Sequence, residues 1–245
     1  ESVLKAMVEA MVKLPDGKLS PNWKKVYQGA VDGYFGTPPA NFTFKGKSYT
    51  PQTFAGSLGI NSGDYIALTS FTHHPMNKPF ILEVADNWSN GMFYNIAIDE
   101  LINSVDQAIK SGYSVLWATD VSEKTFSAKN GLAINPYMAW EDMSDTERDS
   151  LWKAPHPEKF VTQEERQLGF ENLSTTDDHG MHIVGIMKDQ NGTEYYVVKN
   201  SWGAAINKTT GGYIYVSKAY FRNKTMSVML NKNALNKDLK AKLGL

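Results

Sequence analysis

The chain has 245 residues, 25 basic and 26 acidic side chains, a net charge of −1 and no cysteine. That length can bury one large domain core, and the mixed charge argues against nucleic acid or an anionic membrane surface as the main partner. No run approaches the ~18 consecutive apolar residues of a membrane helix, and disulfides and thiolate metal sites are excluded within this sequence. Val3, Leu4, Met7, Val8, Met11 and Val12 recur at helical spacing, predicting an amphipathic helix over 3–13 that Leu14-Pro15-Asp16-Gly17 breaks. Ser20-Pro21 opens a second helix as N-cap and first-turn proline, running to about Tyr34 before Gly36. Phe42 to Tyr49 alternates around Lys45-Gly46 as a short hairpin, and Thr50-Pro51 caps a brief helix.

From Asp64 the pattern turns to strands, Tyr65 to Phe71 and Pro79 to Val84. His73-His74-Pro75 lies between them. Adjacent histidines point apart on an extended chain, so this pair reads as a surface loop, not a chelate. Phe93 to Ile98 is a strand, and Asp99 is placed to cap a helix whose buried stripe is Leu101, Ile102, Val105 and Ile109, ended by Gly112. Tyr113 to Ala118 follows as a buried strand, with no glycine-rich phosphate loop to suggest nucleotide binding. Lys124 to Tyr137 is irregular. Ser144-x-x-Glu147 and Thr162-x-x-Glu165 are capping boxes, the first opening a helix through Trp152. The acidic pairs 164–165 and 177–178 invite a two-carboxylate hydrolase reading, but carboxylates at a helix start already serve its orphan N–H groups and dipole. Gly211 to Val216 is a strand, Ala219 to Arg222 a helical turn and Met226 to Leu230 a closing strand. Leu235, Leu239 and Leu243 share one face of a last helix.

The chemistry concentrates between Asp177 and Gly203. Asp177-Asp178-His179-Gly180-Met181-His182 leads an apolar run, Asn191-Gly192 marks a hairpin turn, and the return run ends Lys199-Asn200-Ser201-Trp202-Gly203. A two-residue turn at Asn191-Gly192 pairs Asn200 with Ile183; a four-residue loop from Asp189 pairs it with Met181. Either register puts Asn200 on the strand face of His179. The offset along the strands is roughly 7 to 13 Å, so contact needs twist or a bulge. Residues 179 and 182 fall on opposite faces, which disfavours a metal site built from Asp178, His179 and His182. No metal and no cofactor is expected.

A His-Gly-Met strand start followed by a hairpin ending Val-Lys-Asn-Ser-Trp-Gly resembles the histidine and asparagine half of a papain-like cysteine peptidase. Within that group it is most similar to the bleomycin hydrolase and aminopeptidase C branch. Gly36-Thr37-Pro38-Pro39, Thr50 to Phe54, Ile98 to Leu101 and Asp120-Val121-Ser122 resemble it in the same order. The resemblance implies an α+β, papain-like cysteine proteinase fold. Residues 1–60 would form a helical insertion subdomain, and residues 61–245 the half with an antiparallel sheet that carries His179 and Asn200. It implies His179 as base and then acid, Asn200 as the residue orienting it, and Trp202 as cover for their bond. Asp178, directly before His179, is an anionic neighbour that favours the imidazolium.

A thiol reacts as its thiolate, so the scheme needs a cysteine. None is present, and neither Gln28 nor Gln52 sits in the family's oxyanion-hole setting. The expectation is that the nucleophile lies on a segment upstream of Glu1, with this chain inactive alone. The competing reading is an inactive papain-like homologue that binds peptides. The resemblance further implies a peptide substrate and, in this branch, homo-oligomers. It favours a cytoplasmic location, unless a signal peptide upstream directs the protein to the periplasm or outside. The branch's C-terminal arm, which binds the substrate's amino terminus, has no counterpart before Leu245, so aminopeptidase and endopeptidase action both stay open.

Overall fold

A computed structural model describes residues 2–14 and 17–245. The chain divides into two compact units, Glu1–Asn61 and Ser62–Leu245. The first contains helices α1 (Ser2–Val12) and α2 (Trp23–Phe35), a hairpin of β1 (Phe42–Phe44) and β2 (Lys47–Tyr49), and helix α3 (Pro51–Ser57). Pro15 and Asp16 of the expected helix break lie outside the described residues. The second helix starts later than Ser20-Pro21 suggests: Ser20 and Pro21 form a turn, and Asn22 precedes the helix without a side-chain cap. Thr50 caps α3, exchanging hydrogen bonds with Thr53. Phe54 stands edge-on to the rings of Phe42, Phe44 and Tyr49, at 5.2 to 5.3 Å between centroids, and so ties helix to hairpin.

The second unit is built on a ten-stranded sheet. In chain order its strands are β3 (Tyr65–Thr69), β4 (Pro79–Ile81), β5 (Met92–Asn95), β6 (Val115–Thr119), β7 (Phe126–Ser127), β8 (Leu132–Ala133), β9 (His179–Lys188), β10 (Glu194–Lys199), β11 (Tyr213–Ser217) and β12 (Thr225–Asn231). Their spatial order is β4-β5-β3-β12-β6-β9-β10-β11-β8-β7. The pairings are antiparallel except β3 with β5 and β8 with β11. Helix α4 (Ile98–Lys110) buries Ile98, Leu101, Val105 and Ala108 in a core shared with Trp117, Ile183, Tyr196, Val198 and Val228. Ile102 and Ile109 flank it, half-buried. Helices α5 (Asp145–Ser150) and α6 (Gln163–Glu171) start at the two capping boxes, and α7 (Lys218–Lys224) and α8 (Lys237–Leu243) complete the unit.

Several elements depart from their sequence signals. Pairing of β4 stops at Ile81, because the chain turns into a 3₁₀ segment at Ala85–Asn87. Asp99 does not cap α4. Ala97 holds the cap position, and the free N–H of Ile98 is taken by Gln163 Oε1 at 2.9 Å, leaving Asp99 to pair with Arg222. The stretch 124–137, expected to be irregular, contains the short strands β7 and β8, which extend the sheet past β11.

The hairpin of β9 and β10 adopts neither expected loop. Lys188 pairs with Glu194, and Asp189 organises the five residues between them by accepting the N–H groups of Asn191 and Thr193 on Oδ1. Continued unbroken, that register would bring Asn200 level with His182, on the face away from His179. A β-bulge prevents this. Val197 pairs with Gly185 but Val198 pairs with Ile183, so Val184 is an extra residue on β9 and the side-chain alternation is reset. Ile183 and Ile186 accordingly both face the main core. With Lys199 opposite His182, Asn200 comes level with Met181.

Candidate active site

His179 opens β9, and Asn200 follows the last paired residue of β10. His179 Nε2 lies 2.9 Å from Asn200 Oδ1. The same oxygen accepts the Ser201 N–H at 2.7 Å. That second bond fixes the amide: a flipped Asn200 would set its NH₂ against a backbone donor. With Oδ1 so placed, the ring must carry its proton on Nε2. Nδ1 makes no hydrogen bond among the described residues and keeps its lone pair. The amide pays for this arrangement, since Asn200 Nδ2 is buried without a partner among the described residues.

Trp202 lies against the His179 ring, their centroids 4.9 Å apart. On its other side it meets Phe126 of β7 at 6.2 Å, edge to face. Its position depends on Gly203, which has φ +85° and rests against Gly212, where an added Cβ would sit 2.7 Å from the Gly203 carbonyl oxygen. Only a residue without a side chain allows that approach.

The segment entering β9 is anchored by groups that stand far away in sequence. Buried Asp120 accepts the N–H and hydroxyl of Ser122 at 2.8 and 2.7 Å and the N–H of Thr176 at 3.1 Å. Lys224, also buried, donates to the Ser174 carbonyl at 2.7 Å and pairs with Glu123. Asp120 and Thr176 thus clamp the approach to His179. Sequence reasoning placed Asp120 in a family-like motif without seeing this duty, and Lys224, between Asn223 and Thr225, gave no signal.

Asp178 is sequence-adjacent to His179 but spends its carboxylate elsewhere, accepting from the Thr176 hydroxyl at 2.7 Å and the Val121 N–H at 3.4 Å. Burial works to raise its pKa; these bonds and Asp120 outweigh it, and Asp178 is held below the usual carboxylate range. Burial pushes Asp120 up. Asp177 is pushed up to about 6, first by burial and then by the charges of Asp86 and Asp178. Asp178, His179 and His182 do not converge as a metal site; among the described residues the one such convergence is His73, His74 and Glu83.

The sequence model of the Peptidase C1-like family matches residues 24–244. The chain belongs to that family. Two curated relatives, the aminopeptidases C of Listeria innocua and Streptococcus thermophilus, are 26% and 23% identical over 223 and 219 residues. These alignments cover 83% and 82% of this chain but 46% and 45% of the relatives, so the chain spans about half the length of the curated relatives it matches. Among solved structures, PepW from Lactobacillus rhamnosis HN001 superposes with a TM-score of 0.65 at 20% identity, covering 98% of this chain and 55% of PepW. The fold is therefore the papain-like α+β fold of this cysteine peptidase family.

Proposed function

We propose that this chain is the histidine- and asparagine-bearing part of a cysteine peptidase of the aminopeptidase C type, with the thiol supplied by a segment outside this sequence. The observation that carries the reading is the His179–Asn200 hydrogen bond, with Trp202 against the His179 ring. In the family's other half, a cysteine would give its proton to Nδ1, the ring nitrogen left with a lone pair. The thiolate then attacks the peptide carbonyl carbon. As the C–N bond breaks, the imidazolium returns the proton to the departing amine, leaving a thioester. Water, deprotonated by the same nitrogen, releases the acid and restores the thiol. Asn200 holds one ring orientation through both transfers without adding charge, the part asparagine takes in the Cys-His-Asn variant of the triad. Trp202 keeps water off that bond, which strengthens it. Asp178 is an anionic neighbour that supports the imidazolium. In this scheme residues 1–60 are the helical insertion of the branch, and residues 61–245 the catalytic half.

The test uses the complete protein with its upstream segment. His179→Ala is expected to abolish turnover of a peptide amide while a thiol-directed inhibitor still reacts at a measurable rate. Unchanged turnover in the variant rejects the assignment. A complete protein without any cysteine that binds peptides without cleaving them would establish the competing reading, an inactive homologue that keeps the cleft. Comparing substrates with free and blocked amino termini separates aminopeptidase from endopeptidase action.

A further inference from the structure

The geometry points to a divalent transition-metal site, of the kind that takes Zn²⁺, formed by His73, His74 and Glu83. On an extended strand these two histidines would diverge. Here the chain turns between β3 and β4, and both rings swing to one side, their centroids 4.7 Å apart. His73 Nε2 lies 3.1 Å from Glu83 Oε2 and His74 Nε2 lies 2.6 Å from Glu83 Oε1. The three donor groups fall within 4.8 Å of one another. A tetrahedral zinc ion with bonds of about 2.0–2.1 Å spaces its ligands by roughly 3.3 Å. An ion entering here would move the carboxylate oxygens away from the two ring nitrogens, now at 3.1 and 2.6 Å, by roughly 0.2 and 0.7 Å. Two imidazole nitrogens and one carboxylate oxygen suit Zn²⁺ or a neighbouring first-row ion, and do not suit Mg²⁺ or Ca²⁺, which prefer oxygen ligands.

The surroundings hold these donors in place. Asn95, fully buried at the end of β5, accepts the Phe71 N–H and donates to the Phe71 and His74 carbonyls at 2.7 and 2.9 Å, fixing the turn. His73 stacks on Phe170 at 5.0 Å and His74 on Phe80 at 4.3 Å. Gln167 presents both atoms of its amide to His73 Nδ1, Nε2 at 3.0 Å and Oε1 at 3.5 Å. Without a metal the nearer amide Nε2 donates to Nδ1, while Oε1 accepts the Thr72 N–H at 2.5 Å. With Nε2 of His73 on a metal, Nδ1 must carry the proton, and the Gln167 amide must shift to bring the second lone pair of Oε1 onto it. Such outer partners set tautomer and ring orientation at metal sites. Both imidazoles and the carboxylate are partly exposed, so an ion has a path in. His73 and Glu83 also line a cavity of about 490 Å³ shared with Asp86, Glu171 and Asp177, whose carboxyls favour a dication there. The site lies along a cavity that reaches Asp177, two residues from His179, and does not depend on the peptidase assignment.

The experiment is Zn²⁺ titration of the full chain by calorimetry, paired with the visible ligand-field spectrum of the Co²⁺ form. The expected result is one ion per chain. Binding should be lost in His74→Ala and Glu83→Gln, and unchanged in His182→Ala. Should His74→Ala fail to fold by near-ultraviolet circular dichroism, Glu83→Gln decides, because its amide has the same shape and keeps one acceptor oxygen for the rings but ligates zinc poorly. Absence of stoichiometric binding, or equal affinity in wild type and Glu83→Gln, overturns the proposal and leaves the cluster as a hydrogen-bonded clamp on the turn.

Discussion

Replacing Asp177 by Asn should stabilise this protein at neutral pH and leave it unchanged in acid. Asp177 lies partly buried beside Asp86 and Asp178, and its carboxyl titrates near 6 instead of the ordinary 3.8. A raised carboxyl pKa means that the folded state binds the proton more tightly than the unfolded chain does. Its contribution is therefore complete below about pH 4, declines as pH rises, and is exhausted above about pH 6. The shift of about two pH units corresponds to a ceiling of about 3 kcal/mol. Because the group keeps some contact with solvent, roughly 1–2 kcal/mol is the expected gain at pH 8. Asparagine has the same shape and no charge to desolvate. Urea denaturation of both proteins at pH 4, 6 and 8 measures the effect. Curves that diverge with rising pH, the variant above the wild type, agree with the structure. A constant difference across that range, or a variant less stable at pH 8, would show that Asp177 is not held as an unfavourable buried anion.

Arg166 is fully buried, and its guanidinium donates to the carbonyls of Ser70, Arg222, Asn223 and Thr225 while lying 4.6 Å over the ring of Phe71. Arg166→Met should cost of order 3–5 kcal/mol in chemical denaturation, because those acceptors lose their donor together; a loss under about 1 kcal/mol would contradict this. Gly212→Ala should destabilise more than Gly211→Ala. Both positions have positive φ, which alone costs of order 1–3 kcal/mol, but only at Gly212 would the methyl also strike the Gly203 backbone. Equal melting temperatures for the two variants would refute the contact that seats Trp202.

Much of the fold is written in short-range signals. The capping boxes at Ser144 and Thr162, the stripe centred on Leu101 and Val105, and the apolar strand containing Trp117 each follow from local chemistry. What local chemistry does not carry is decided by distant partners. Gln163 caps α4 from another helix, so no residue near Asp99 announces the true cap. Strands β7 and β8 are two residues each and exist because β11 offers an edge. The bulge at Val184 is invisible in the continuous run Ile183-Val184-Gly185-Ile186, where no alternation marks a face, yet it brings Asn200 to the face of His179. The turn at His73-His74 likewise depends on Asn95, more than twenty residues later, and an extended-chain argument alone mistakes a convergent pair for a divergent one.

The proposed chemistry needs the His179 imidazole held in a single tautomer by the Asn200 carboxamide, and nitrogen NMR of the His179 ring reads that directly. With the ring neutral, the long-range ¹H–¹⁵N pattern should show a protonated Nε2 and a bare Nδ1, and Asn200→Ala should remove the preference. A proton found on Nδ1, or two tautomers averaged in the native chain, would contradict it.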